Sequence, residues 1–181
     1  DNIATTIRPV ILERTNRQFG IPLPDEEIVH QGIGGFMEIN SESTFGLVRP
    51  TKLFKDELKF EVDGLTFILA HVPGETDDHL YVWLPDKDAV LVGDNFYRSF
   101  ANLYAIRGTK FRNPMEWVQS LDKIRMLNAE YLIPSHSRPI SGTENVSKAL
   151  TDYRDGIQFV HDQTIRYINK GLTPDEIVEK V

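Results

Sequence analysis

Three residues of metal-ligand type each stand just past an apolar run that reads as a strand: Glu75 after 67–72, Asp94 after 89–92 and His136 after 131–133. In a layered sheet, binding residues gather at the ends of strands. Gly74 and Gly93 precede two of the three, so the backbone is free to turn closely around a bound group. The chain has no cysteine, which excludes thiolate ligands and disulfides and leaves imidazole and carboxylate to hold any metal. Taken singly, a Glu or Asp in a turn also fits a solvated surface position, and a lone His a satisfied polar group. The shared placement is what points to a site.

The elements that must position these residues follow from the patterning. Alternating apolar residues predict strands over 45–48, 58–62 and 65–72, and Asp63-Gly64 between the last two is a hairpin signal. A second pair, 80–84 and 89–92, is joined by Pro85-Asp86-Lys87-Asp88. Asn113 and Pro114 suit the cap and first position of a helix with Trp117, Leu121, Ile124 and Met126 or Leu127 as its apolar stripe, and 131–133 returns as a short strand. Upstream, 2–19 reads as partly helical, ending at Gly20. Gly32-Ile33-Gly34-Gly35 reads as a tight turn, because no phosphate-loop spacing follows it.

A long helix is expected over 144–170, with Val146, Leu150, Tyr153, Ile157, Val160, Thr164 and Tyr167 as its stripe and Gly171 as its C-cap. The near-heptad spacing fits a partner helix, and an ordinary core-facing helix fits as well. Thr173-Pro174-Asp175-Glu176 reads as a capping box opening one more helix. Strands, then helix, strand and helix, make an α/β or α+β layered domain. The chain of 181 residues is long enough for one domain and part of a second. Its 20 basic and 27 acidic residues, net charge −7, are interspersed, which argues against a nucleic-acid or anionic-membrane surface. No apolar run approaches the length of a membrane span and no signal-peptide pattern opens the chain, so a soluble protein is expected.

Val72-Pro73-Gly74-Glu75-Thr76 resembles the ligand turn of the metallo-β-lactamase superfamily, with the Glu in place of His that marks its alkyl sulfatases. Gly93-Asp94-Asn95 resembles the family's bridging-carboxylate segment. Asn102-Leu103-Tyr104-Ala105-Ile106-Arg107-Gly108 is similar to its N-L-Y-x-x-R-G signature, and Pro134-Ser135-His136-Ser137-Arg138-Pro139 to the segment of its last histidine ligand. Asp162-Gln163-Thr164 and Asn169-Lys170-Gly171 resemble the opening of its dimerisation domain. The resemblance implies a partial αββα sandwich over 1–142, followed over 143–181 by the start of an all-α dimerisation domain. It implies two zinc ions, with Glu75, Asp94 and His136 among their ligands and Asn102 and Arg107 holding the sulfate of an alkyl ester. His79, four residues after Glu75, fits a group that orients a ligand or a water molecule, and fits a non-catalytic histidine somewhat better, whereas His71 and His161 read as structural.

Two departures qualify this. The family's H-x-H-x-D-H motif, which holds most of the histidine ligands, is absent from the five histidines here. In the family it lies upstream of these segments, so the chain is expected to be a fragment or processed piece, incomplete as a catalyst by itself. Asp94 stands where alkyl sulfatases carry Glu, which leaves a lactonase or thioesterase type of the same fold as a rival. A non-catalytic dimerisation module is the rival from another class. The resemblance is compatible with a periplasmic or secreted homodimer, and the sequence itself leaves the compartment open.

Overall fold

The computed structural model describes residues 8–24, 26–27, 42, 44, 46, 48–105 and 110–181. The chain forms two compact units, one drawing on Asp1–Lys55 and Tyr104–Phe111, the other on Asp56–Leu103 and Arg112–Val181. Within the first, helix α1 spans Arg8–Gln18, inside the stretch expected to be partly helical. Pro9 sits in its first turn, where a missing N–H costs nothing, and Arg17 pairs with Glu13 one turn earlier at 2.6 Å. Gly20 closes it at φ 65°. The Gly32-to-Gly35 turn, Phe45 and Leu47 of the strand expected over 45–48, His30 and Arg107 lie outside the described residues, and Gly46 and Val48 belong to no strand.

The second unit is built on a six-stranded sheet whose spatial order follows the chain. Strands β1 (Glu57–Val62) and β2 (Leu65–His71) form the expected hairpin. Asp63 at φ 50° and Gly64 at φ 78° supply the paired left-handed conformations that a two-residue connection needs. Phe60 faces Phe67 across it with rings stacked 5.3 Å apart. Strand β3 (Leu80–Leu84) pairs antiparallel with β2, and β4 (Ala89–Gly93) antiparallel with β3. One turn of 3₁₀ helix, Pro85–Lys87, joins them.

The direction changes after β4. Helix α2 (Pro114–Arg125) precedes β5 (Tyr131–Pro134), which pairs parallel with β4. A two-residue strand β6 (Ile140–Ser141), too short to carry a sequence period, pairs antiparallel with β5. The Asn113 side chain caps α2 by accepting from the Met115 and Glu116 amides. Helix α3 (Thr143–Ile168) follows, then α4 (Pro174–Val178), which opens on the expected capping box of Thr173 and Glu176.

Helices α2 and α3 pack on each other. Val72, Val90, Val92, Leu132, Trp117, Leu121, Ile124, Val146, Leu150 and Ile157 form one buried cluster between helices and sheet. Each fully buried aliphatic or aromatic side chain there contributes roughly 1.5–3 kcal/mol. The stripe of α3 therefore faces the core through Ile157, while Phe159, Ile165 and Ile168 are exposed toward its C-terminal end. No helix among the described residues is long and apolar enough to cross a membrane.

A polar clamp is set into this apolar layer. Asn95, fully buried just past β4, donates from its amide to the Val72 carbonyl at 2.7 Å and accepts from the Glu75 amide at 3.3 Å. Its own carbonyl accepts from the Trp117 indole at 3.0 Å, and Ser120 of α2 donates to the Pro73 carbonyl at 2.6 Å. Gly74 is the residue this clamp demands, because a Cβ there would stand 2.1 Å from Asn95 Oδ1 and 3.0 Å from the Trp117 ring. Asn95→Ala should therefore destabilise the protein by about 1–3 kcal/mol for each buried group it leaves without a partner. Gly74→Ala should destabilise it by forcing Asn95 aside, and much less so when Asn95 is already Ala. Urea unfolding of the two single variants and the double variant measures this, with a coupling energy of roughly 0.5–3 kcal/mol expected.

Candidate functional site

Because β4 and β5 run parallel as neighbours, their C-terminal ends lie side by side, and the residues that follow them are brought together. The Ser135 amide donates to the Gly93 carbonyl at 3.1 Å, extending the pairing by one step. Asp94 and His136 then meet, with Asp94 Oδ1 3.5 Å from His136 Nε2 and each side chain about one third exposed. That carboxylate oxygen is itself buried and has no hydrogen-bond partner. The loop carrying His136 is fixed from the 94–98 side. The Arg98 amide donates to Ser137 Oγ at 3.1 Å, its guanidinium donates to the Arg138 carbonyl at 3.3 Å, and Ser137 takes up φ 71°.

Glu75 reaches the same neighbourhood from the turn after β2. Its carboxylate pairs with Arg112 at 2.9 Å, at side-chain exposures of 16% for Glu75 and 6% for Arg112. Burial pushes the Glu75 carboxyl above its ordinary value. The Arg112 guanidinium opposes that shift, the negative charge of Asp94 adds to it, and the Tyr97 hydroxyl beside it pulls it down again. These influences put Glu75 and Asp94 in one electrostatic environment, although their partners differ: His136 for Asp94, Arg112 for Glu75. Among the described residues no group of three or more His, Asp or Glu side chains gathers closely enough to hold a metal ion. Of the three expected ligands, Asp94 and His136 approach each other, whereas the Glu75 carboxylate is taken by Arg112.

Asn102 is held through its main chain, its amide donating to the Tyr97 hydroxyl at 2.5 Å and its carbonyl accepting from Arg112 Nη1. The His79 ring meets the Val92 carbonyl, 2.9 Å from its Nε2. A carbonyl only accepts, so Nε2 carries the proton there. Gly93 makes room for that ring, since at φ 56° a Cβ would lie 2.5 Å from Nε2. His71 likewise bonds the Asp77 carbonyl at 2.7 Å, and His161 pairs with Asp162 at 2.9 Å.

Four residues that organise this region had no role there in the sequence reading: Asn95, noted only as part of Gly93-Asp94-Asn95, Tyr153, noted only in the helix stripe, and Tyr97 and Arg112. Tyr153 projects from α3 into an aromatic group, 5.0 Å from the Phe96 ring, 5.8 Å from Tyr97 and 6.3 Å from Trp117, and burial pushes its phenol well above the ordinary tyrosine value. Asn95 and Arg112 carried a faint signal, as the neighbours of Asp94 and of the Asn113 cap. Nothing in their types separates them from surface residues.

The geometry can be set beside known proteins. The profile of the Metallo-beta-lactamase superfamily matches residues 19–136. Over its whole length the chain is 41% identical to the linear primary-alkylsulfatase of Pseudomonas sp. (strain ATCC 19151), covering 35% of that protein. It is 29% identical over 92% of its length to the alkyl/aryl-sulfatase BDS1 of Saccharomyces cerevisiae (strain ATCC 204508 / S288c), covering 26% of it. The solved structure of the stereoselective inverting sec-alkylsulfatase Pisa1 from Pseudomonas sp. matches 98% of this chain and 29% of its own, at 25% identity and a TM-score of 0.86. The chain therefore spans about a third or less of the length of these relatives. The chain therefore belongs to the metallo-β-lactamase superfamily and is similar, within it, to alkylsulfatases.

Proposed function

We propose that this chain is part of the catalytic domain of a hydrolase that cleaves alkyl sulfate esters to alcohol and sulfate with two zinc ions. The observation that carries this furthest is the similarity along the whole chain to a linear primary-alkylsulfatase. The fit of a metal rests on the donor chemistry. Asp94 Oδ1 is a buried carboxylate oxygen without a hydrogen bond, facing an imidazole nitrogen, in a chain with no thiolate to compete. Asp94, His136 and Glu75 would hold zinc in this reading, with the remaining donors from a segment bearing H-x-H-x-D-H. Zinc would supply Lewis acidity and lower the pKa of a water molecule.

The chain's own residues bind and orient the ester. Its sulfate carries a fixed negative charge, which a guanidinium can hold through two parallel hydrogen bonds. Arg107 has that role and the Asn102 side-chain amide assists it. Residues 1–142 contribute to the catalytic domain, and 143–181 begin a helical region through which two copies pair. The exposed Phe159, Ile165 and Ile168 of α3 suit that pairing. Asp94 in place of Glu favours one other reading, a lactonase or thioesterase of the same fold, against which Asn102 to Gly108 argue.

Turnover assays of the whole protein carrying this chain decide between these: hydrolysis of dodecyl sulfate with little action on lactones and thioesters is expected, and the reverse preference would overturn the sulfatase reading. Residues 1–181 alone should bind zinc weakly, because at most three donors are present where structural sites use four. Stoichiometric tight binding in calorimetry would show a different ligand set.

Arg107→Lys in the whole protein keeps the charge and loses the fork, at a cost on the order of 1.5–3 kcal/mol, or roughly ten- to a hundredfold in kcat/KM. Zinc content should stay unchanged, in contrast to Glu75→Gln or His136→Ala. Normal turnover combined with a lowered unfolding temperature would make Arg107 a structural ion-pair partner instead.

A further inference from the structure

Arg112 makes connections that no role assigned so far requires. Its guanidinium is almost wholly buried, with Nη2 on Glu75 Oε1 at 2.9 Å and Nη1 on the Asn102 carbonyl. Nε is also buried and meets no acceptor. Removing so much of a cation from water costs several kcal/mol unless charge and hydrogen bonds compensate, and the compensation comes from two segments distant from each other in the chain. The residue is fixed from behind as well. Asn113, next in the chain, caps α2, and α2 is anchored in the core by Trp117 and Leu121. A guanidinium is a rigid planar fork, so acceptors on two of its nitrogens are held at a set separation, which a flexible ammonium cannot do.

We propose that Arg112 is a positioning residue, whose single guanidinium ties the Glu75 carboxylate to the Asn102 main chain and so sets the distance between the metal-ligand turn and the sulfate-binding amide. The proposal rests on the sulfate-ester reading for its functional consequence. Three observations meet in it: the shared fork, the helix cap that immobilises Arg112, and the Tyr97 hydroxyl. That hydroxyl accepts from the Asn102 amide and also lies beside Glu75, giving a second, parallel link between the same two points. An ordinary buried ion pair would hold Glu75 alone. The bond to Asn102 makes a displacement at one end felt at the other.

The test compares Arg112→Lys and Arg112→Met with the parent in the whole protein. Three quantities are read: inhibition by inorganic sulfate, the separate kcat and KM for dodecyl sulfate, and amide hydrogen exchange over 72–76 and around Asn102. In Arg112→Lys the inhibition constant for inorganic sulfate and KM should both rise about tenfold, with a smaller change in kcat. Exchange should quicken in both segments together, and Arg112→Met should do the same more strongly. If either folded variant keeps sulfate inhibition and KM within about twofold of the parent while only its unfolding temperature falls, Arg112 is a structural ion pair and the proposal is overturned. Faster exchange in one segment alone overturns it equally. Should Arg112→Met fail to fold, the Lys variant decides. A parent that neither hydrolyses dodecyl sulfate nor is inhibited by sulfate removes the sulfate-ester reading, and the exchange data still decide whether Glu75 and Asn102 are coupled.

Discussion

A buried asparagine has four hydrogen-bonding directions to satisfy and no charge with which to attract water, so wherever it is placed it dictates the path of the main chain around it. Asn95 does this for the turn after β2. Its side chain meets the Val72 carbonyl and the Glu75 amide, its own carbonyl is held by Trp117, and Gly74 is confined to having no side chain. The turn at Glu75, the loop after β4 and helix α2 are thereby one rigid piece. The position of Glu75 follows from that piece, and so does that of Asp94, the residue before Asn95. Loops ordinarily expose their polar groups; here a loop amide is spent inside the core to hold two acidic residues near each other.

The cost of that arrangement is electrostatic. Burial and the nearby Asp94 both disfavour the ionised Glu75, and Arg112 with the Tyr97 hydroxyl works the other way. Arg112 is the direct partner of the Glu75 carboxylate, so the ion pair offsets part of what burial costs it. Asp94 and His136 need no such device, since parallel pairing of β4 with β5 brings them to 3.5 Å. The site thus has two mechanical sources: a sheet end that aligns one pair of residues, and a polar clamp that adds a third beside them.

The aromatic group beneath has a supporting part. Tyr153, reaching down from α3, packs against Phe96, Tyr97 and Trp117, and through them against the loop that follows Asp94. Helix α3 is therefore both a layer of the core and the rear wall of the site. Its exposed C-terminal apolar residues belong to a different surface from the stripe that faces α2.

Much of the fold was legible in the sequence because it depends on local rules. Asp63-Gly64 demanded a two-residue hairpin, Asn113-Pro114 a helix start and Thr173 to Glu176 a capping box, and each is present. Strand β6 escaped because two residues carry no period. Of the candidate site, the sequence marked the residue types at Glu75, Asp94 and His136 and their positions just past strand-like runs. Which of these touch was decided by pairing between strands far apart in the chain, and that gave His136 to Asp94 and Arg112 to Glu75. Asn95, Tyr97, Arg112 and Tyr153 became part of the site only on folding. A polar side chain looks the same in a sequence whether it is solvated or buried, and only the packed layers decide which groups lose their water and must find each other instead.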